Sequence, residues 1–172
     1  MWRPEVVAII ALGAVLAMMT GELVLSRSHE RALRRQGAVE APGDVYRTLA
    51  WAYPTMFVAM ALEGAVAGRS PGVATAVGTL VFVAAKTLKF WAMSALGLRW
   101  TFRVLVLPGA PLVSSGPYAR LRHPNYVAIF GEIAGMALVV GAFVTGAISL
   151  ISFAILVRKR IAVEEKALEG RH

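Results

Sequence analysis

The sequence predicts an all-α integral membrane protein: about five transmembrane helices, the last two a helical hairpin, with an ordered cytosolic loop and an amphipathic C-terminal helix. Three observations carry that expectation. The 172 residues are 58% hydrophobic and 16% charged, with a mean hydropathy of +0.65, outside the range of ordinary soluble domains. Apolar runs approaching bilayer length, ~20 residues for a helix, recur five times. The basic residues gather in alternate connecting segments rather than over a whole surface. The length suits one domain, 1–172, and no internal repeat or low-complexity tract divides it.

Span one covers about residues 5–25 and contains VVAIIALGAVLAMMTGELVL. The run exceeds a signal-peptide core and no A-x-A site precedes the charged segment after it, so it reads as a retained span. Span two covers about residues 47–67, and span three about 73–97, opened by the turn RSPG. Spans four and five cover about 125–141 and 143–158. Both are short, and they join near Gly141 and Gly146 as a tight hairpin. The charged stretch RKRIAVEEKALEG then forms a helix over about 158–170. Between spans three and four lies a polar stretch, about 98–124, too long for a plain connector. Within it RVLVLPGAPLVSSGPY reads as two short extended pieces joined by a Pro-Gly turn. Its apolar residues predict an ordered flap over the inner mouth of the bundle.

The formal charge is +8. Segment 26–47 carries Arg27, Arg31, Arg34, Arg35 and Arg47; segment 98–124 carries Arg99, Arg103, Arg120 and Arg122; the tail carries Arg158, Lys159, Arg160, Lys166 and Arg171. Five spans put all three on one side, against Arg3 and Arg69 on the other. The positive-inside rule then places the N-terminus outside and the C-terminus in the cytosol of a bacterial-type inner membrane. Cations beside apolar spans point to membrane orientation and anionic lipid rather than to nucleic acid.

There is no cysteine, which excludes disulfides, thiolate zinc sites and cysteine nucleophiles. The histidines are His29, His123 and His172, too few for a histidine-rich metal site. The densest chemistry is GPYARLRHPNY, residues 116–126. Pro124 suits the first turn of a helix, and His123 before it is held out of helical geometry. A helix start beside Arg120, Arg122 and His123 is a place for a carboxylate or phosphate; the plainer reading is a basic interfacial anchor with a belt tyrosine. Arg160 and Glu164 lie one helical turn apart, which fits either an ordinary surface pair or a partner of the RHPNY loop, since the hairpin returns the chain to that face.

Ionisable residues inside spans are costly and are functional candidates by default. Here they are Glu22, Glu63, Lys86, Lys89 and Glu132. Glu22 and Glu63 lie near span ends, within reach of water. Lys86, Lys89, Phe90 and Met93 fall on one face of span three. Lys89 and Glu132 sit at matching depth, roughly 10–12 Å from the inner end at ~1.5 Å per residue, and are expected to pair or to face one polar cavity. Snorkelling of the lysines is the alternative.

The pattern G-P-Y-x-x-L-R-H-P-x-Y followed by R-x-x-x-E-E-x-x-L resembles the isoprenylcysteine carboxyl methyltransferase family, small integral-membrane enzymes that use S-adenosylmethionine. It is carried here by Gly116, Pro117, Tyr118, Leu121, Arg122, His123, Pro124 and Tyr126, then Arg160, Glu164, Glu165 and Leu168. The stretches RRQGAVEAPG and LGLRWTFRVLVLPGAPLVSSGPYARLRHPNY further resemble a bacterial branch. The resemblance implies that S-adenosylmethionine is held by Gly116, Pro117, Tyr118, Arg122, His123, Pro124, Tyr126, Arg160, Glu164 and Glu165, with Leu112 and Val113 beside the adenine. The chain departs from that branch in span two, where no histidine stands beside Tyr53-Pro54.

The implied activity is methyl transfer to a lipophilic carboxylate or hydroxyl, with the donor arriving from the cytosol and the acceptor from the bilayer. Arg99, Arg103 or Arg158 could hold an anionic acceptor; Lys89 and Glu132 are further acceptor-site candidates. Two other readings stand beside this one. Membrane sterol reductases resemble the C-terminal half and bind NADPH, but this chain is short for them. A lipid-binding or scaffold protein explains the charges but not the density of the 98–124 segment.

Overall fold

In the computed structural model, which describes residues 3–169, every long apolar run is helical and the polar segments fold back onto one end of the bundle. Gly170, Arg171 and His172, at the end of the expected tail, lie outside the described residues. The helices are α1 (Pro4–Arg35), α2 (Tyr46–Ala67), α3 (Val73–Leu96), α4 (Pro124–Val140) and α5 (Phe143–Glu169). The fold is all-α and the protein is an integral membrane protein. α1, α2 and α3 are each long and apolar enough to cross a bilayer, and α4 is a shorter apolar helix. Ile9, Val24, Leu62, Val66, Leu80, Trp91 and Ile151 are all more than half exposed, the outward apolar surface that lipid would cover.

α1 runs ten residues past the expected end of its span, through SHERALRR, whose Glu, Ala, Leu and Arg are all good helix formers. α5 is one continuous helix of 27 residues, so the fifth span and the tail helix are a single element. Pro54 lies inside α2 without ending it, at the cost of a backbone bond.

α4 is the central helix. Glu132, Ile133, Gly135, Met136, Ala137 and Val140 are buried along it, and it packs on the other four helices. Its closest neighbour is α3, because small residues let the two backbones meet. A Cβ at Gly135 would lie 2.7 Å from the Phe82 amide nitrogen, and one at Gly78 would lie 2.7 Å from the Gly135 carbonyl oxygen. The stripe of small residues in α4 therefore serves packing against α3. Phe57, Met60, Ile133, Met136, Phe153 and Val157 form the apolar core between α2, α4 and α5.

The far end of the bundle is tied by two side chains. Glu63 accepts from the Val144 and Thr145 amides at 3.1 and 2.7 Å, capping the start of α5. It thus has a structural partner rather than simply reaching water. Arg69 donates to the Gly141 carbonyl and stacks on Phe143.

At the other end the 98–124 segment is ordered differently from the sequence expectation. Leu105–Val106 forms a strand, β2, but it pairs antiparallel with β1 (Val39–Glu40) from the α1–α2 connection. Two residues per strand leave too little pattern for a sequence to announce the pairing. The Pro-Gly turn is present, closed by the Ala110 amide on the Leu107 carbonyl at 3.2 Å. SGPYA does not extend; Gly116–Ala119 is a 3₁₀ turn packed on α3. Gly116 has φ +61, and a Cβ there would meet Ala95 Cβ at 3.0 Å and Trp91 Nε1 at 3.2 Å. Backbone hand and crowding both require glycine.

Candidate functional site at the polar end of the bundle

Helix α4 begins at Pro124, with His123 as an N-cap outside helical geometry. The Tyr126 and Val127 amides both return to the His123 carbonyl. Those two first-turn donors are taken, which leaves side chains as the main polar groups here. Tyr126 points toward α5. Its hydroxyl donates to Glu164 Oε2 at 2.8 Å and accepts from Arg160 Nε at 3.0 Å. Thus Arg160 and Glu164, one turn apart, are joined through a tyrosine from α4.

His123 stacks on the Tyr126 ring at 5.6 Å. Its Nδ1 lies 4.0 Å from Glu164 and its Nε2 lies 3.6 Å from Glu165. Both are beyond hydrogen-bond reach. Nε2 is buried and makes no hydrogen bond to any described residue. Glu165 takes Arg122 at 3.0 Å, although Arg122 is largely exposed and that pair is worth little. Tyr118 is half-buried; burial first, then the Glu164 carboxylate, push its phenol above the ordinary range. The structure thus brings Arg122, His123, Tyr126, Arg160, Glu164 and Glu165 together, with Pro124 buried at the helix start and Tyr118 close by. It does not bring in Leu112, which is exposed, or the half-buried Val113; among the described residues no hydrogen bond or ion pair joins either to the cluster.

Arg160 is a strut. Besides Tyr126, its Nη1 reaches Asp44 Oδ1 at 3.0 Å and its Nη2 reaches the Phe102 carbonyl. All three guanidinium nitrogens are engaged and the side chain is buried. Asp44, whose side chain is also buried, accepts from the Tyr46 amide at 3.0 Å and the Val104 amide at 2.8 Å. One carboxylate therefore links the α1–α2 connection, β2 and α5. Ser26 adds a second link by accepting from the Phe102 amide at 2.8 Å, and His29 Nδ1 bonds the Trp100 carbonyl at 2.8 Å. An open depression of ≈ 380 Å³ adjoins Asp44, lined also by Tyr46, Arg47 and Arg103; of the sequence-predicted site residues only Arg103 lines it.

The acceptor candidates separate. Arg103 meets Glu40 at 2.5 Å and Glu30 at 3.4 Å and stacks on Tyr46. Its hydrogen bond to Glu40 raises its pKa further, so it already has carboxylate partners. Arg99 donates to the Pro111 carbonyl and is otherwise exposed, and Arg158 is exposed on α5. Lys89 and Glu132 are both buried, 3.3 Å apart. They belong to a network in which Lys86 and Lys89 meet Glu22 at 2.8 and 2.6 Å, Lys86 also meets Glu132 at 3.1 Å, and Tyr53 donates to Glu132. Glu22 is buried in this network rather than open to water. The lysines point inward rather than snorkelling, and Phe90 is exposed on a different face from Lys89.

Asp44, which joins this cluster through Arg160, is not among the residues expected from sequence. Its local signal was an aspartate after Pro-Gly and just before a helix, a helix-start pattern; nothing local could announce Arg160, 116 residues away.

Comparison with known proteins adds the following. The model described as "Isoprenylcysteine carboxyl methyltransferase (ICMT) family" matches residues 76–170, more than half of the chain. The chain is 28% identical over 158 residues to the uncharacterized protein YpbQ of Bacillus subtilis (strain 168), covering 92% of this chain and 94% of that protein. It is 26% identical over 160 residues to an uncharacterized protein of Haemophilus influenzae, covering 92% and 93%. No solved structure matches.

Proposed function

The chain belongs to the isoprenylcysteine carboxyl methyltransferase family of membrane methyltransferases, and from that premise we propose that it moves a methyl group from S-adenosylmethionine to the carboxylate or hydroxyl of a lipophilic acceptor at the cytosolic face of the bilayer. The observation that carries the reading is the junction of the RHPNY loop with the Glu164–Glu165 turn of α5 through Tyr126, at 2.8 Å to Glu164. Residues far apart in sequence meet there in one polar cluster, where the buried His123 Nε2 makes no hydrogen bond to any described residue.

The chemistry of the cluster fits the donor. Glu164 and Glu165 would take hydroxyls or a cationic amine, Arg122 a carboxylate, and His123 Nε2 a polar edge. Tyr118 and Tyr126 offer aromatic faces that suit a cation. The donor supplies a methyl group already activated on a sulfonium, so the protein's task is alignment and exclusion of water. A carboxylate acceptor needs no base; a hydroxyl must give up its proton. Of the candidate cations, Arg158 and Arg99 remain open to an anionic head group. Arg103 is engaged by carboxylates, and the Lys89–Glu132 pair is closed within the bundle.

The contacts of Asp44, Phe102 and Arg122 with α5 place three basic segments at one end of the bundle. The positive-inside rule supports that end as cytosolic, with the N-terminus outside. The test is transfer of a labelled methyl group from S-adenosylmethionine into the organic extract of membranes containing the protein. We expect labelled lipid with the wild type and a loss of at least about tenfold with Glu164→Gln, the size of one charge-assisted contact. Equal labelling with the wild type and with membranes lacking the protein would overturn the proposal.

A further inference from the structure

We propose that Asp44, outside the segment that matches the family, is a specificity-determining residue: through Arg160 it sets the charge of the donor site, so that the site favours a cationic donor over its neutral demethylated product. The inference rests on the methyl-donor reading above.

The charged groups lie in a row: Arg122 to Glu165 at 3.0 Å, His123 between Glu165 and Glu164 at 3.6 and 4.0 Å without a hydrogen bond to either, Glu164 to Tyr126 at 2.8 Å, Tyr126 to Arg160 at 3.0 Å, and Arg160 to Asp44 at 3.0 Å. Apart from His123, this row holds three carboxylates against two guanidinium groups. Arg122 is 84% exposed, against 39% for Glu165 and 33% for Glu164, so solvent screens the one outer cation more than the carboxylates around it. A sulfonium donor carries one positive charge more than its thioether product. A net negative site therefore binds the donor more tightly than the product and lets the product leave.

Asp44 decides that balance. Without it, the buried Arg160 guanidinium would stand uncompensated beside Tyr126 and Glu164, and the row would be neutral. Its geometry is fixed by three bonds besides any role in charge: the Tyr46 amide at 3.0 Å, the Val104 amide at 2.8 Å and Arg160. A residue that merely braced the fold would, when replaced, loosen the site for donor and product alike. A residue that sets the charge would change the two affinities unequally, because the ligands are nearly the same shape and differ in one charge.

The experiment is calorimetry of the full chain in detergent, titrated with S-adenosylmethionine and with S-adenosylhomocysteine, for the wild type, Asp44→Asn, Asp44→Glu and Arg160→Gln. Asp44→Asn should weaken the donor about tenfold relative to the product, the scale of one uncompensated charge several ångströms away at a partly buried site. Asp44→Glu, which keeps the charge, should keep the wild-type ratio. Arg160→Gln should move the ratio the opposite way, toward the donor. It serves as the deciding variant if Asp44→Asn does not fold. An unchanged donor-to-product ratio in a folded Asp44→Asn or Arg160→Gln protein would overturn the inference and leave Asp44 a brace. Wild-type protein that binds neither ligand would overturn the donor reading itself.

Discussion

Tyr126 works in two directions: its hydroxyl accepts from Arg160 and donates to Glu164. Removing that oxygen breaks both links while keeping the ring that stacks on His123. Tyr126→Phe should cost about 1–3 kcal/mol of stability, because it leaves a buried guanidinium nitrogen short of a partner, and should weaken donor binding as Glu164 loses its tether; thermal unfolding and calorimetry together check this. Glu40 gives a pH-dependent case. Its hydrogen bond to Arg34, and then Arg103, hold its carboxyl below the ordinary value of 4.5. The unfolded chain then binds more protons than the folded one, so stability rises with pH through this window. The contribution is complete above the ordinary value and disappears as the pH falls through the lower folded value. Glu40 is only partly buried, so the effect is small. Melting curves from pH 3 to 6 should converge with those of Glu40→Gln at the acid end and separate above it. His123, Tyr126, Glu164 and Glu165 were legible because their motif spacing is local. Asp44 was not, and Glu22 was expected to reach water rather than Lys86 and Lys89, because what makes each matter is a partner on another helix.

At the scale of elements, α4 carries both the site and the packing that holds it. Its first turn presents His123 and Tyr126, and two turns further Glu132 enters the network of Glu22, Lys86, Lys89 and Tyr53. Two ammonium groups balance two carboxylates, drawn from α1, α3 and α4. Deleting one charge leaves another buried and unpaired. Lys89→Met should destabilise the protein by about 3–5 kcal/mol, whereas Lys89→Met combined with Glu132→Gln should recover part of that loss; denaturation in detergent compares them. The helices themselves were readable, since long apolar runs state their own length. Their ends were less so: the charged half of α1 carries no apolar stripe and reads as a loop until SHERALRR is seen to continue the helix. The β1–β2 pairing was out of reach for a different reason, because it joins two-residue strands across two helices.

For the whole molecule, the two ends differ in kind. One end is tied by Glu63 and Arg69, with Thr75 on the Val139 carbonyl; the other gathers the basic segments, the two-stranded pairing and the polar cluster of Tyr126, Arg160 and Glu164. The chain lacks cysteine, so single substitutions map orientation cleanly. Ser70→Cys should react with a membrane-impermeant maleimide on intact cells, and Ser114→Cys only after the membrane is opened. The reverse pattern would invert the proposed topology. Donor binding itself tests the central claim most directly: calorimetry of detergent-solubilised wild type and His123→Ala with S-adenosylmethionine, with NADPH run alongside. We expect saturable binding of S-adenosylmethionine, weakened by His123→Ala, and none of NADPH. Absence of S-adenosylmethionine binding by the folded wild type would contradict it.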